Sequence, residues 1–97
     1  MRHATHTPPV DVLASEAAWL LRLDLPGVRQ DDLSVSVERD VLTVSTVAAE
    51  DAPPRWYRQL TLPRDADSDG ISATLRDGVL SLEIPRAGHS PRQIAIG

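Results

Sequence analysis

The stretch ISATLRDGVLSLEIP, residues 71–85, decides the fold of this chain. At its centre Asp77-Gly78 is the signal for a two-residue type I′ turn, because both central residues of that turn must tolerate a positive φ. Apolar and polar residues alternate on either side of the turn, which predicts two half-buried strands. The apolar positions are Ile71, Ala73, Leu75, Leu80, Leu82 and Ile84. The stretch is therefore predicted to be a β-hairpin that ends at Pro85.

The same two-residue period recurs along the rest of the chain. It predicts further strands over residues 10–13, 17–25, 33–38, 41–47 and 55–62. Pro26-Gly27 and Pro63 supply turn and stop signals between them. No segment shows a convincing helical period. About seven short strands separated by turns indicate an all-β fold, an antiparallel β-sandwich.

Composition limits the classes of partner. The 97 residues are 41% hydrophobic and 25% charged, which is ordinary for one globular domain. A net charge of −4 argues against a nucleic-acid or anionic-membrane partner. There is no cysteine, so disulfides and thiolate metal sites are excluded. The apolar runs are too short for a membrane span and the start has no apolar signal region, so a cytoplasmic protein is expected.

Polar motifs do not combine into a catalytic, metal or cofactor site. Asp65-x-Asp67-x-Asp69-Gly70 begins like a calcium loop, but its twelfth position is Arg76 instead of a glutamate, which favours a solvated turn. His3 and His6 precede Pro8-Pro9 and are read as part of a flexible arm. No nucleophile elbow or zinc-binding helix motif is present. We therefore expect a protein that is not an enzyme and needs no metal or cofactor.

The triplet Ile94-Ala95-Ile96 follows a polar stretch, residues 86–93. Two branched apolar side chains in a polar tail cannot cover themselves, which implies a groove that receives them. That groove lies on this chain or on another copy. This feature favours a protein that binds polypeptide segments.

Five short motifs follow one another along the chain. They are Val10-Asp11-Val12, Asp24-Leu25-Pro26-Gly27-Val28 with Asp32-Leu33, Leu60-x-Leu62-Pro63, Ala73-x4-Gly78-Val79-Leu80, and Ile94-Ala95-Ile96 behind Pro91-Arg92. In this order they resemble the α-crystallin domain of small heat-shock proteins. Each motif alone is weak, but together they are specific.

The resemblance implies an immunoglobulin-like sandwich over residues 10–86, preceded by a short disordered arm (1–9) and followed by a C-terminal extension (87–97). It also implies an ATP-independent holdase that binds unfolding client proteins and self-associates through its I-x-I tail, Ile94 and Ile96. In the family, the tail docks in an edge groove. Carried over to this sequence, the groove residues are Leu33, Val35, Val37, Ile71, Ala73 and Leu75.

Two departures from the family pattern bear on assembly. Only about nine polar residues precede the domain, where the family has a long apolar arm. The loop AAEDAPP, residues 48–54, is too short for an exchanged strand. A monomer or a dimer through the edge of residues 55–62 is therefore expected, with Trp56, Arg58 and Leu60 as the candidate edge.

Other interpretations stay open at this point. The six groove residues also suit a plain sandwich core. The two isoleucines suit an extra edge strand on their own domain. The alternative function is a non-chaperone adaptor module, a β-sandwich that resembles co-chaperone CS domains.

Overall fold

The computed structural model describes residues 5–47 and 54–87 as two antiparallel sheets. The strands are β1 (Val10–Ala14), β2 (Ala18–Asp24), β3 (Leu33–Glu38), β4 (Val41–Thr46), β5 (Tyr57–Thr61), β6 (Ser72–Arg76) and β7 (Val79–Pro85). Four strands form one sheet in the order β1-β2-β7-β6, and three form the other in the order β3-β4-β5. The prediction of an all-β, immunoglobulin-like antiparallel sandwich is confirmed.

The centre of the larger sheet is the pairing of β2 with β7. In this register Leu21 lies opposite Leu82 and Leu23 opposite Leu80. All four side chains are buried, because the two-residue period of each strand points them to the same face. The alternation in the sequence thus builds the inner face of the sheet directly.

In the smaller sheet β4 supplies the matching inner face. Leu42 and Val44 are almost fully buried, and Thr46 is buried on the same side. The hydroxyl of Thr46 accepts a hydrogen bond of 3.1 Å from the main-chain N–H of Trp56. That bond satisfies a polar atom that would otherwise destabilise the core.

The core is formed where these two inner faces meet. Burial of each large aliphatic side chain stabilises the fold by about 1.5–3 kcal/mol. The buried cluster consists of Leu21, Leu23, Leu25, Val28, Leu42, Val44, Leu62, Leu80, Leu82 and Ile84.

Two tight turns use left-handed backbone. Asp77 and Gly78 have φ values of 52° and 77°, as the type I′ prediction requires. Arg39 and Asp40 connect β3 to β4 with φ values of 50° and 63°, although neither is glycine. Two short 3-10 turns, Gln30–Asp32 and Ser68–Gly70, complete the connections.

Residues 5–9 do not fit the expectation of a disordered arm. His6 forms a parallel bridge with Trp56, next to β5, and Pro8 is fully buried. The bridge and the buried proline place this short segment against β5, which polar composition alone did not suggest. In the described ranges, no helix has the length and apolar character needed to cross a membrane.

Candidate binding edges of the sandwich

The sandwich has two sides, each bounded by one edge strand of each sheet. On one side β5 lies next to β1, because residues of both strands line the same apolar hollow. The opposite side therefore carries β3 and β6, the remaining edge strands of the two sheets. The six predicted groove residues all lie on or beside these two strands.

β3 presents a row of apolar side chains at the edge of the smaller sheet. Leu33, Val35 and Val37 pack against the core but stay partly exposed. The residues between them, Ser34 and Ser36, point to solvent. The row thus contributes to the core and still offers apolar surface at the edge.

β6 presents a less continuous row. Ile71 and Leu75 are half-buried against the core, whereas Ala73 between them is exposed. Because alternate residues of a strand share a face, the short Ala73 side chain leaves a gap between two longer ones. Ile94 and Ile96, the tail residues predicted to dock in this groove, lie outside the described residues.

The residues of the candidate dimer edge, Trp56, Arg58 and Leu60, lie on one face of β5 and the residue before it. Trp56 and Leu60 pack against the core, and Arg58 is half-buried and donates a hydrogen bond to the Pro8 carbonyl at 3.4 Å. The exposed side chains of β5 are those of Tyr57, Gln59 and Thr61. A partner at this edge would therefore meet the main chain of β5 and these three side chains.

The apolar hollow between β1 and β5 was not predicted from the sequence. It is open to solvent on one side and has a volume of about 130 Å³. Its lining is almost entirely apolar and consists of Val12, Trp19, Leu21, Leu60, Thr61, Leu62, Pro63 and Ile84. The sequence feature that could have indicated it is the apolar pair Val12-Leu13 in β1, because these neighbours lie on opposite faces of the strand and cannot both be buried by one sheet. Both side chains are more than half exposed.

Asp65, the first residue of the calcium-like motif, belongs to a different arrangement. Its carboxylate accepts hydrogen bonds from the Trp19 indole N–H at 3.0 Å and from Arg86 Nε at 2.7 Å. These bonds, that from Trp19 foremost, lower the pKa of Asp65 below its ordinary value. The Arg86 guanidinium also lies 5.0 Å from the centre of the Trp19 ring.

The other two aspartates of the motif do not join Asp65. The Asp67 carboxylate accepts a hydrogen bond from the Asp69 main-chain N–H and so caps the 3-10 turn Ser68–Gly70. Within residues 5–47 and 54–87, no group of three or more acidic, histidine or cysteine side chains is placed to hold a metal ion. The motif acts here as a turn and as an anchor for the end of β7.

Comparison with known proteins agrees with this fold. The model of the Hsp20/alpha crystallin family matches residues 11–97. The 18 kDa antigen 2 of Mycobacterium avium is 39% identical over 91% of this chain and 72% of its own length. The 18 kDa antigen 1 of Mycobacterium intracellulare is 36% identical over 92% of this chain and 68% of its own length.

Solved structures give the same result. A small heat-shock protein from Xylella fastidiosa superposes with a TM-score of 0.76 at 30% identity, covering 97% of this chain and 99% of its own. The hspA protein from Xanthomonas axonopodis gives 0.72 at 28% identity, covering 86% and 96%. This chain belongs to the Hsp20/alpha-crystallin family of small heat-shock proteins.

Proposed function

We propose that this protein is an ATP-independent holdase that binds extended segments of unfolding proteins at the β3–β6 side of its sandwich. A general chaperone role follows from membership of the small heat-shock family. The finer proposal depends on one observation. Leu33, Val35 and Val37 form a half-buried apolar row on a strand at the edge of its sheet.

Such an edge suits an extended polypeptide. The outer main-chain groups of β3 are available for strand addition, which supplies affinity that does not depend on sequence. The apolar row selects segments with hydrophobic side chains at alternate positions, as unfolding proteins expose. The exposed Ala73 supports this function, because a gap in the row of β6 leaves room for an incoming side chain.

We further propose that the Ile94-Ala95-Ile96 tail of a neighbouring copy competes with clients for this site. Burial of two isoleucines is worth about 3–6 kcal/mol. Ordering each residue of the tail costs about 1–2 kcal/mol in backbone entropy. The small difference makes one docked tail weak, so a client can displace it, and several tails together hold an assembly.

Self-association is part of the proposal. The relative from Xylella fastidiosa forms a distinct high order structure. For this chain we propose two contacts between copies. The tail of one copy binds at the β3–β6 side of another, and the β5 edges of two copies pair with each other. Removal of residues 94–97 is expected to reduce the mass seen by light scattering, and an unchanged mass together with unchanged client protection would contradict the role of the tail.

The test of the holdase function is suppression of aggregation of a heat-labile enzyme without ATP. Val35→Thr keeps the β-branched shape of the side chain but places a hydroxyl in the apolar row. We expect it to lose much of the protection. Ser36→Thr, the matched control on the opposite face of β3, should protect like the unaltered protein.

Two results would contradict this assignment. Equal protection by both variants would mean that clients bind elsewhere on the molecule. Absence of protection by the unaltered protein, for several unrelated clients, would favour the adaptor function instead.

A further inference from the structure

We propose that residues 5–9 form a competitive cap on the β5 edge and restrain its pairing with a second copy of the chain. This inference rests on the self-association through β5 proposed above. It assigns a regulatory role to a segment whose composition suggested only a disordered arm.

The cap is attached by main-chain hydrogen bonds. The His6 N–H donates to the Arg55 carbonyl at 2.8 Å, and the Tyr57 N–H donates to the His6 carbonyl at 2.9 Å. The His6 and Trp56 rings lie 5.1 Å apart, and the Thr5 hydroxyl donates to the Pro54 carbonyl at 2.9 Å. The segment is thus a short parallel strand laid against the beginning of β5.

The pairing stops after His6 for a chemical reason. In a parallel ladder the next donor would be the N–H of residue 8, directed at the Tyr57 carbonyl. Pro8 has no N–H, and its carbonyl accepts from the Arg58 side chain instead. The cap is therefore held by two main-chain hydrogen bonds, by the side-chain bonds of Thr5 and Arg58, and by the buried Pro8 ring. Its main-chain pairing, the part that a second strand can replace, is limited to one residue.

The rest of the edge is left for a partner. The main-chain groups of Trp56 face Thr46 on the neighbouring strand, so by alternation those of Tyr57, Gln59 and Thr61 face outward. Among the described residues, no main-chain group pairs with the Gln59 N–H. Gln59 is the middle residue of this outward set.

A second copy fits these groups by symmetry. Two β5 strands related by a twofold axis at Gln59 place Tyr57 of each copy opposite Thr61 of the other and form about six main-chain hydrogen bonds. The Tyr57 N–H is required both by this pairing and by the His6 carbonyl. Cap and partner therefore compete for the same donor.

Weakening the cap tests the competition. His6→Pro removes the donor to Arg55, whereas His6→Ala removes only the ring and keeps both main-chain bonds. Loss of about one net hydrogen bond corresponds to a two- to tenfold change in an equilibrium constant. We expect His6→Pro to lower the self-association Kd, measured by analytical ultracentrifugation, by about that factor relative to His6→Ala.

Locking the cap tests the opposite direction. Thr7 and Tyr57 follow the bridged pair by one residue and are both exposed, so their main chains lie at about the strand spacing of 4.8 Å. That spacing suits a disulfide. Because the chain has no cysteine, Thr7→Cys with Tyr57→Cys forms a single designed bridge. We expect weaker self-association when oxidised and recovery on reduction.

A third variant tests the β5 contact between copies separately from the cap. Gln59→Pro removes an outward N–H of β5 and should weaken self-association whatever the cap does. If Gln59→Pro weakens association while His6→Pro and the oxidised bridge change nothing, the cap is refuted and the β5 dimer stands. If Gln59→Pro also changes nothing, both the β5 contact and the cap are refuted, and the holdase assay remains an independent result.

Discussion

Asp40 and Gly78 occupy equivalent left-handed positions in the two hairpin turns. Their φ values are 63° and 77°. A residue with a Cβ pays a steric penalty in this conformation that glycine avoids. Both turns have a non-glycine residue at the first position, Arg39 and Asp77, so the β3–β4 turn stores additional strain only at its second position.

Replacing Asp40 by glycine is expected to stabilise the protein. Relief of the left-handed strain, less the greater chain entropy of glycine, amounts to about 0.5–1 kcal/mol. Thermal unfolding should show a Tm higher by a few degrees. Gly78→Ala at the equivalent position is the reverse control and should lower the Tm, and a fall in Tm for Asp40→Gly would contradict the strain argument.

Asp65 gives the fold a local dependence on pH. The hydrogen bonds from Trp19 and Arg86 lower its pKa in the folded state below the ordinary 3.8. The stabilisation is therefore fully present above that value and is lost as the pH falls through the lowered pKa. At neutral pH the charge of Asp65 helps to fix the end of β7.

The charge of Asp65 can be tested without removing its hydrogen-bond acceptor. Asp65→Asn is expected to lower the free energy of unfolding in urea at neutral pH. The difference from the unaltered protein should shrink as the pH falls from 3.8 through the lowered pKa of Asp65 in the folded state. Asp31→Asn, at an exposed acid, is the control, and a deficit that persists unchanged at low pH would refute the electrostatic explanation.

Central and edge strands contribute unequally to the stability of the sandwich. Leu82 lies on β7 between two partner strands and is almost fully buried, whereas Leu75 lies on the edge strand β6 and is half-buried. Leu82→Ala should cost about 2–5 kcal/mol by leaving a cavity. Leu75→Ala should cost about 1 kcal/mol.

Chemical denaturation of the two variants measures this contrast. A similar loss of stability in both would mean that β6 is as integral to the core as β7. It would then be unsuited to receive a client or a tail without unfolding the domain. The expected contrast is consistent with β6 as a binding edge.

The strands themselves were predictable from the sequence, because a half-buried strand leaves its two-residue period in the residues. Leu21, Leu23 and Leu82 identify their own inner faces in this way. The pairing of His6 with Trp56 left no such trace, since one bridged residue has no period and Pro8-Pro9 are typical of a disordered arm. The two-residue period also places Trp56, Arg58 and Leu60 on one face, but the period alone does not show that this face points into the sandwich.

The structural role of Asp65 could not be predicted from the sequence either. Its partners Trp19 and Arg86 lie 46 and 21 residues away along the chain. Their meeting depends on the order of strands in the sheet. That order, unlike the strands, is not encoded in local alternation.

For the whole molecule, the two sides of the sandwich carry different features. The β3–β6 side has apolar rows on two edge strands. The β1–β5 side has a half-open apolar hollow and an edge that residues 5–9 partly cover. The first arrangement suits extended segments of any client, and the second suits a contact between copies.

The most direct test of the central claim is a map of where an unfolded polypeptide touches the folded chain. We would titrate uniformly 15N-labelled protein with reduced, carboxymethylated α-lactalbumin, without ATP, and follow the amide resonances. The account predicts shifts concentrated in Leu33–Glu38 and Ser72–Arg76. Shifts confined to Val10–Ala14 and Tyr57–Thr61 would contradict it. An absence of shifts at client concentrations at which the protein prevents aggregation would contradict it as well.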